Sequence, residues 1–172
     1  MRIGLTGTVS VGKTTLVKAL QELPEFENYK FFTERSRYLR DLGIPLNTDS
    51  TVKGQLVFAA ERSTELMNPD IITDRSIWDV CAFTLSSKTI PFDDRVKLVK
   101  SFMLLKDEYD IIFYIDPEGT IIENNGVRET DSEYRDKIDW VIQELLLEYP
   151  PKKLVKLKGS TEERIQQIKQ TL

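Results

Sequence analysis

The apolar run Arg-Ile-Gly-Leu-Thr at residues 2–6 ends directly on Gly7-x-x-x-x-Gly12-Lys13-Thr14, and an amphipathic stretch over 12–23 follows at once. This junction constrains the fold more than any other feature of the 172-residue chain. Glycines at both ends of the loop let the backbone turn tightly and take positive φ. The loop N–H groups and the N-terminus of the next helix then converge on one point, which favours an anion there. Lys13 adds a flexible cation for phosphate oxygens, and Thr14 adds a hydroxyl that can ligate magnesium. The full G-x-x-x-x-G-K-[ST] pattern, set between a strand and a helix, predicts a phosphate-binding loop. Its binding set is Gly7, Val9, Ser10, Val11, Gly12, Lys13, Thr14 and Thr15, with Lys13 expected to be solvated when no nucleotide is bound.

Strand-like and helical patterns alternate along the rest of the chain. Strands are predicted at 29–33, 70–74, 110–116 and 153–157, and helices at 34–42, 51–67, from Ser76, at 92–109, 134–149 and 160–172. Asp93 or Asp94 is a plausible cap for the helix after Pro91. Thr130-x-x-Glu133 and Ser160-x-x-Glu163 have capping-box spacing. Five short strands separated by helices imply a three-layer α/β fold, a mostly parallel sheet with helices on both faces. The whole chain, 1–172, reads as a single P-loop domain, and the polar segment near 117–135 reads as a lid.

Composition narrows the function. There are 24 basic and 28 acidic residues, a net charge of −4, which disfavours broad binding to nucleic acid or anionic membrane. Histidine is absent and Cys81 is the single cysteine, so histidine triads, disulfides and a zinc site are not expected. Cys81 reads as a buried apolar residue. No secretory signal or transmembrane segment is visible, and a cytoplasmic protein is expected.

The loop alone does not say where the phosphate goes. A guanine-selecting N-K-x-D is absent, and Asp116-x-x-Gly119 is a weak match to D-x-x-G on the wrong strand for a GTPase. A motor or AAA-type ATPase would need a longer chain and a strand ending in adjacent acids, whereas the third strand ends in Asp74-Arg75-Ser76. Glu34 sits at the carboxyl end of a strand, where ligands of open α/β sheets collect, and could take the proton of an acceptor hydroxyl or simply cap a helix. Asp74 could hold magnesium directly or through water, and Arg75 could reach phosphate; the alternative is a buried ion pair. Arg37 follows Glu34 by three residues and could orient the acceptor or pair with Glu34. Arg128 and Arg135 could close on the transferring phosphoryl group, or be surface charges.

Several segments resemble one family. "IITDRSIWDVCAF" looks like the D-R-[SY] or E-R-S segment of deoxynucleoside and thymidylate kinases. "FFTERSRYL", "NNGVRETDSEYRDKID" and "LKGSTEERIQQI" resemble the E-x-x-R, the D-G-x-R lid and the C-terminal G-S-x-E-E-R of nicotinamide-riboside-kinase-like P-loop proteins. The likeness covers nearly the whole chain in order, and it implies the P-loop NTPase fold, a five-stranded parallel sheet of order 2-3-1-4-5. It implies an ATP- and magnesium-dependent kinase of a nucleoside, nucleotide or similar small metabolite, with Lys13, Glu34, Asp74, Arg75 and Arg128 at the chemistry. It implies that Gln55 reads a base edge, with Phe58 stacking on it or belonging to the core, and that the backbone at Gly159 and Ser160 meets the adenine ring. Asn125 stands where the family has a lid aspartate. Trp78 and Trp140 read as core or interface aromatics. The rivals are a kinase of a hydroxyl on DNA or RNA, for which "KKLVKLK" (152–158) and the arginines of "ERSRYLR" could form a short groove, and a non-catalytic nucleotide-dependent switch or sensor. Oligomeric state is open, a homodimer included.

Overall fold

The computed structural model of the protein describes residues 1–33, 35–118 and 132–172. Five strands, β1 (Arg2–Thr6), β2 (Lys30–Phe32), β3 (Ile71–Asp74), β4 (Ile111–Ile115) and β5 (Leu154–Leu157), form an all-parallel sheet in the order β2-β3-β1-β4-β5. This is the order expected from the sequence. The three central strands are almost entirely buried because helices cover both faces, which is why they read as unbroken apolar runs.

The helices are α1 (Lys13–Gln21), α2 (Ser36–Asp41), α3 (Val52–Leu66), α4 (Ile77–Ser86), α5 (Phe92–Phe102), α6 (Ser132–Glu148) and α7 (Thr161–Thr171). Strand alternation divides the apolar residues between two cores. Ile71, Ile112 and Tyr114 point toward α3, α4, α5 and α6, while Ile72, Ile111, Phe113 and Ile115 point toward α1 and α7. Trp78 is fully buried in the first core, where its Nε1 donates to the Tyr149 carbonyl at 3.0 Å. Cys81 is buried there too, and burial pushes its thiol pKa up. Trp140, by contrast, lies exposed on α6.

Local departures from the sequence reading have simple causes. The helix expected over 92–109 ends at Phe102 and tightens into a 3₁₀ turn, Met103–Glu108, which delivers fully buried Tyr109 against Trp78. Pro91, not an aspartate, holds the cap position of α5; Asp93 and Asp94 occupy its first turn, where the helix dipole favours acids. Another 3₁₀ turn, Asn47–Asp49, interrupts the segment read as irregular before α3. The cap expected at Thr130 lies outside the described residues.

Ser160 caps α7 as its spacing predicts. Its hydroxyl accepts from Glu163 N, and Glu163 reaches back to Ser160 N at 2.7 Å. Gly159 makes this possible: its φ is +86°, and a Cβ there would lie 2.1 Å from Glu163 Oε2. Gly159→Ala is expected to break the box and lower unfolding stability by about 1–2 kcal/mol, read as a shifted urea midpoint with an unchanged slope.

Candidate functional site

The site begins where β1 becomes α1. Gly7 approaches the β4 edge so closely that a Cβ would stand 2.9 Å from the Ile115 carbonyl, and Gly12 caps α1 with φ 83°. Between them Val9 and Val11 are buried and fasten the loop, while Ser10 takes a positive φ of 59°. Arg164 of α7 donates to the Val11 carbonyl at 2.6 Å from a buried position, and burial lowers its pKa. Thr8 Oγ1 donates to the Arg135 carbonyl at 2.7 Å, so the loop is held from α6 as well. Arg135 is itself buried, with Nη2 donating to the Pro117 carbonyl at 3.1 Å; it is not a solvated surface charge.

Lys13 departs from expectation in the same way. It is only 6% exposed, because its Nζ folds back to donate to the carbonyls of Gly7 (2.6 Å) and Thr8 (2.7 Å) and faces Asp79 Oδ1 at 4.0 Å. Thr14 Oγ1 donates to Asp74 Oδ2 at 2.5 Å, joining the start of α1 to the end of β3. Asp74 is buried, and its Oδ1 has no hydrogen-bond partner among the described residues. Thr15 is exposed on the first turn of α1.

Arg75 follows β3 with a φ of 93°, a conformation that a side chain makes costly. A buried pair from α3 fixes it there. Arg62 donates to the carbonyls of Asp74 (3.3 Å) and Arg75 (3.1 Å) and pairs with Glu65 at 2.6 Å, while Thr73 Oγ1 donates to Glu65 Oε2 at 2.8 Å. Burial raises the Glu65 pKa, with Arg62 and Thr73 opposing it. The Arg75 guanidinium lies 4.9 Å from the Phe83 ring centroid and 3.6 Å from Asp79.

Arg75 also lines two adjoining pockets. One, a narrow cleft, is lined by Ser10, Val11, Gly12, Lys13, Thr14 and Asp74. The other, a partly open pocket with a cavity of about 40 Å³, is walled by Ser36, Leu46, Asn47, Gln55, Phe58, Val80 and Phe83. The segment carrying Leu46 and Asn47 is tied down by Ser87 and Thr89, whose hydroxyls both donate to the Ser50 carbonyl at 2.6 Å. Gln55 is 2% exposed, and its Oε1 has no hydrogen-bond partner among the described residues. Phe58 is half-buried, packing on the first core and lining the second pocket.

Arg37 is not brought into this arrangement; it is exposed on α2 and absent from the pocket wall. Gly159 lies apart from both pockets, where the α7 cap accounts for it. Glu34 and Arg128, with Asn125 and most of the segment expected to be a lid, lie outside the described residues. The sequence reading missed Asp79, Arg62, Glu65 and Arg164. Two of them had a visible signal: Arg164 is the arginine of the G-S-x-E-E-R segment, and Ser76-x-x-Asp79 has the same capping spacing as Ser160-x-x-Glu163, with Asp79 Oδ2 accepting from Ser76 N at 2.9 Å.

The chain belongs to the AAA-domain family, whose model matches residues 2–164. That is the label which length and the missing acid pair had argued against, so the AAA exclusion does not hold as a statement about family. No curated protein matches the sequence. Among solved structures, deoxyadenosine kinase from M. mycoides, with products dCMP and a flexible dCDP bound, is 18% identical with a TM-score of 0.66, over 99% of this chain and 97% of that one. NadR protein in complex with NR is 23% identical with a TM-score of 0.70, over 92% of this chain and 45% of that one. NadR in complex with NAD and AMP-PNP is 20% identical with a TM-score of 0.66, and this chain spans 44% of it. The fold is thus that of the small P-loop kinases which the motifs resemble.

Arg62 supplies a direct test of the scaffold. Arg62→Met leaves Glu65 buried without its cation and is expected to cost about 3 kcal/mol of unfolding stability. Adding Glu65→Leu should return more than half of that in urea titrations, because the uncompensated charge is then gone.

Proposed function

We propose that this chain is an ATP- and magnesium-dependent kinase that transfers the γ-phosphate to a nucleoside, a nucleotide or a similar small metabolite. The observation that carries the proposal is Arg75, one guanidinium lining both the phosphate loop and the neighbouring pocket that holds Gln55 and Phe58. A group placed between two such pockets can steady a phosphoryl group as it passes from one to the other.

The residues present fit both partners. Gly7 to Thr15 provide backbone donors and a helix N-terminus for the phosphates of ATP. Thr14 and Asp74 offer hard oxygen ligands, and Asp74 Oδ1 is a buried oxygen still lacking a hydrogen bond among the described residues. Magnesium, when bound, supplies neutralisation of phosphate charge. Lys13 releases the Gly7 and Thr8 carbonyls and places its ammonium on the phosphates, with Arg128 adding charge from the lid. In the transfer, the acceptor oxygen bonds to the γ-phosphorus and the bond to the β–γ bridging oxygen breaks, leaving ADP. If the acceptor is a hydroxyl, Glu34 takes its proton; if it is a phosphate, Glu34 positions it. Gln55 Oε1 accepts an N–H from the acceptor's base, Phe58 packs on the ring, and Arg37 steers the approach from outside the pocket.

A small acceptor is further supported by where the basic residues lie. The run 152–158 includes β5, at the sheet edge opposite β2 and β3. Three of its four lysines face acids, Lys156 and Lys158 at 2.8 and 3.6 Å from Asp116 and Lys152 at 3.8 Å from Asp110, and Lys153 donates to the Thr171 carbonyl at 3.0 Å. Burial acts to raise the Asp116 pKa, but the hydrogen bonds from Lys156 and Glu118 N and the two lysine charges outweigh it and hold that pKa low. Arg35 and Arg40 likewise pair with Glu61 and Asp41. Such residues are poorly placed to track a polynucleotide backbone toward Arg75.

The test is a screen of nucleosides, mononucleotides and oligonucleotides with labelled ATP at two salt concentrations. Transfer to a nucleoside or mononucleotide, with little salt dependence, is expected. Preference for an oligonucleotide, with a rate falling steeply as salt rises, would overturn the small acceptor, and ATP binding without transfer to any acceptor would favour the switch. Gln55→Leu should raise the acceptor KM by about 10–100-fold and leave the ATP KM unchanged. Glu34→Gln should cut kcat by about 10²–10⁴-fold at nearly unchanged ATP affinity.

A further inference from the structure

The two oxygens of the Asp79 carboxylate have different surroundings. Asp79 is fully buried, and its Oδ2 accepts from Thr6 Oγ1 (2.7 Å), Ser76 N (2.9 Å) and Ser76 Oγ (3.1 Å). Those contacts cap α4 and tie it to β1, fixing the carboxylate. Oδ1 accepts no hydrogen bond among the described residues; it faces Lys13 Nζ at 4.0 Å and Arg75 Nη1 at 3.6 Å. A cap needs only the first oxygen. The second lies between cations from two different loops, one after β1 and one after β3.

We infer that Asp79 is a positioning residue that balances Lys13 and Arg75 against each other and sets how tightly the phosphate loop takes an anion. Its charge acts in two opposed directions. It holds both cations near one point, so that they meet the phosphates in register. It also has the same sign as the phosphates and competes with them for those cations. Removing the charge therefore tightens anion binding while loosening the geometry needed for transfer. A residue that served the fold alone would move both in the same direction.

Inorganic tripolyphosphate is the probe, because it carries the charge of the nucleotide without a base or an acceptor. By calorimetry, Asp79→Asn, which keeps the size and an acceptor for Ser76 N–H, should bind it about ten-fold more tightly than the native protein. Asp79→Glu keeps the charge and should stay within about three-fold of the native affinity. Asp79→Ser is a second neutral variant, read in the same way if the asparagine variant does not fold. In the phosphotransfer assay, whose acceptor rests on the kinase reading, kcat of the neutral variants should fall about ten-fold or more. Unchanged or weaker tripolyphosphate binding in the neutral variants overturns the inference, even if transfer persists and the kinase reading stands. Tighter binding in a chain that transfers no phosphate sustains the balancing role and removes only the kinase reading.

Discussion

The register of β1 on β3 is the constraint on which the site depends. Leu5 pairs with Asp74, and Arg75 N continues the ladder by donating to the Leu5 carbonyl at 3.1 Å. That pairing places the loop after the first strand beside the loop after the third, although about 60 residues of chain separate them. The Thr14–Asp74 hydrogen bond and the shared Asp79 carboxylate both require that alignment. A slip of one residue would send Asp74 to the opposite face and leave Thr14 without its partner. The apolar alternation of β3 and β4 between two cores makes such a slip costly, so packing far from the loops holds the chemistry in place.

Charge inside the site is arranged by burial. Lys13, Asp74, Asp79, Arg62 and Glu65 are all nearly excluded from solvent. In such surroundings an ion without its partner is expensive, so Lys13, Asp79, Arg62 and Glu65 face opposite charges, while Asp74 accepts from the Thr14 hydroxyl and keeps its other oxygen without a hydrogen bond among the described residues. The Arg62–Glu65 pair fastens the backbone at Arg75 in a conformation that non-glycine residues avoid. Asp79 faces the side chain of that same arginine. Scaffold and site are therefore one network of charges.

The sequence revealed the parts that local chemistry dictates. The phosphate loop is a contiguous pattern with few backbone solutions, and five apolar runs between helices give a parallel sheet covered on both faces, while its strand order came with the resemblance to P-loop kinases. Asp74, Arg75, Gln55 and Phe58 were legible as strand-end or helix-face residues, and the fold gathers them around adjoining pockets. Burial of Lys13 was not legible, because it depends on carbonyls turned inward by Gly7 and on an acid 66 positions away. Arg62 and Glu65 read as one more helical i,i+3 pair; only tertiary packing brings them to the end of β3. Arg164 sits in a segment whose cap was read correctly but whose inward face meets the loop only through the fold. Arg37 shows the reverse: its spacing to Glu34 was suggestive, yet α2 leaves it outside the pocket.

The central claim is that the phosphate loop and the pocket lined by Gln55 and Phe58 meet at Arg75. A crystal structure with magnesium, a non-hydrolysable ATP analogue and the acceptor that the protein phosphorylates best tests this directly. The account predicts the β-phosphate within hydrogen-bond distance of the loop N–H groups, and Lys13 Nζ moved from the Gly7 and Thr8 carbonyls onto the phosphates. It also predicts the acceptor ring beside Gln55 and Phe58, with Arg75 between the two ligands. A nucleotide seated away from the loop, or an acceptor bound outside the Gln55 pocket, would contradict it.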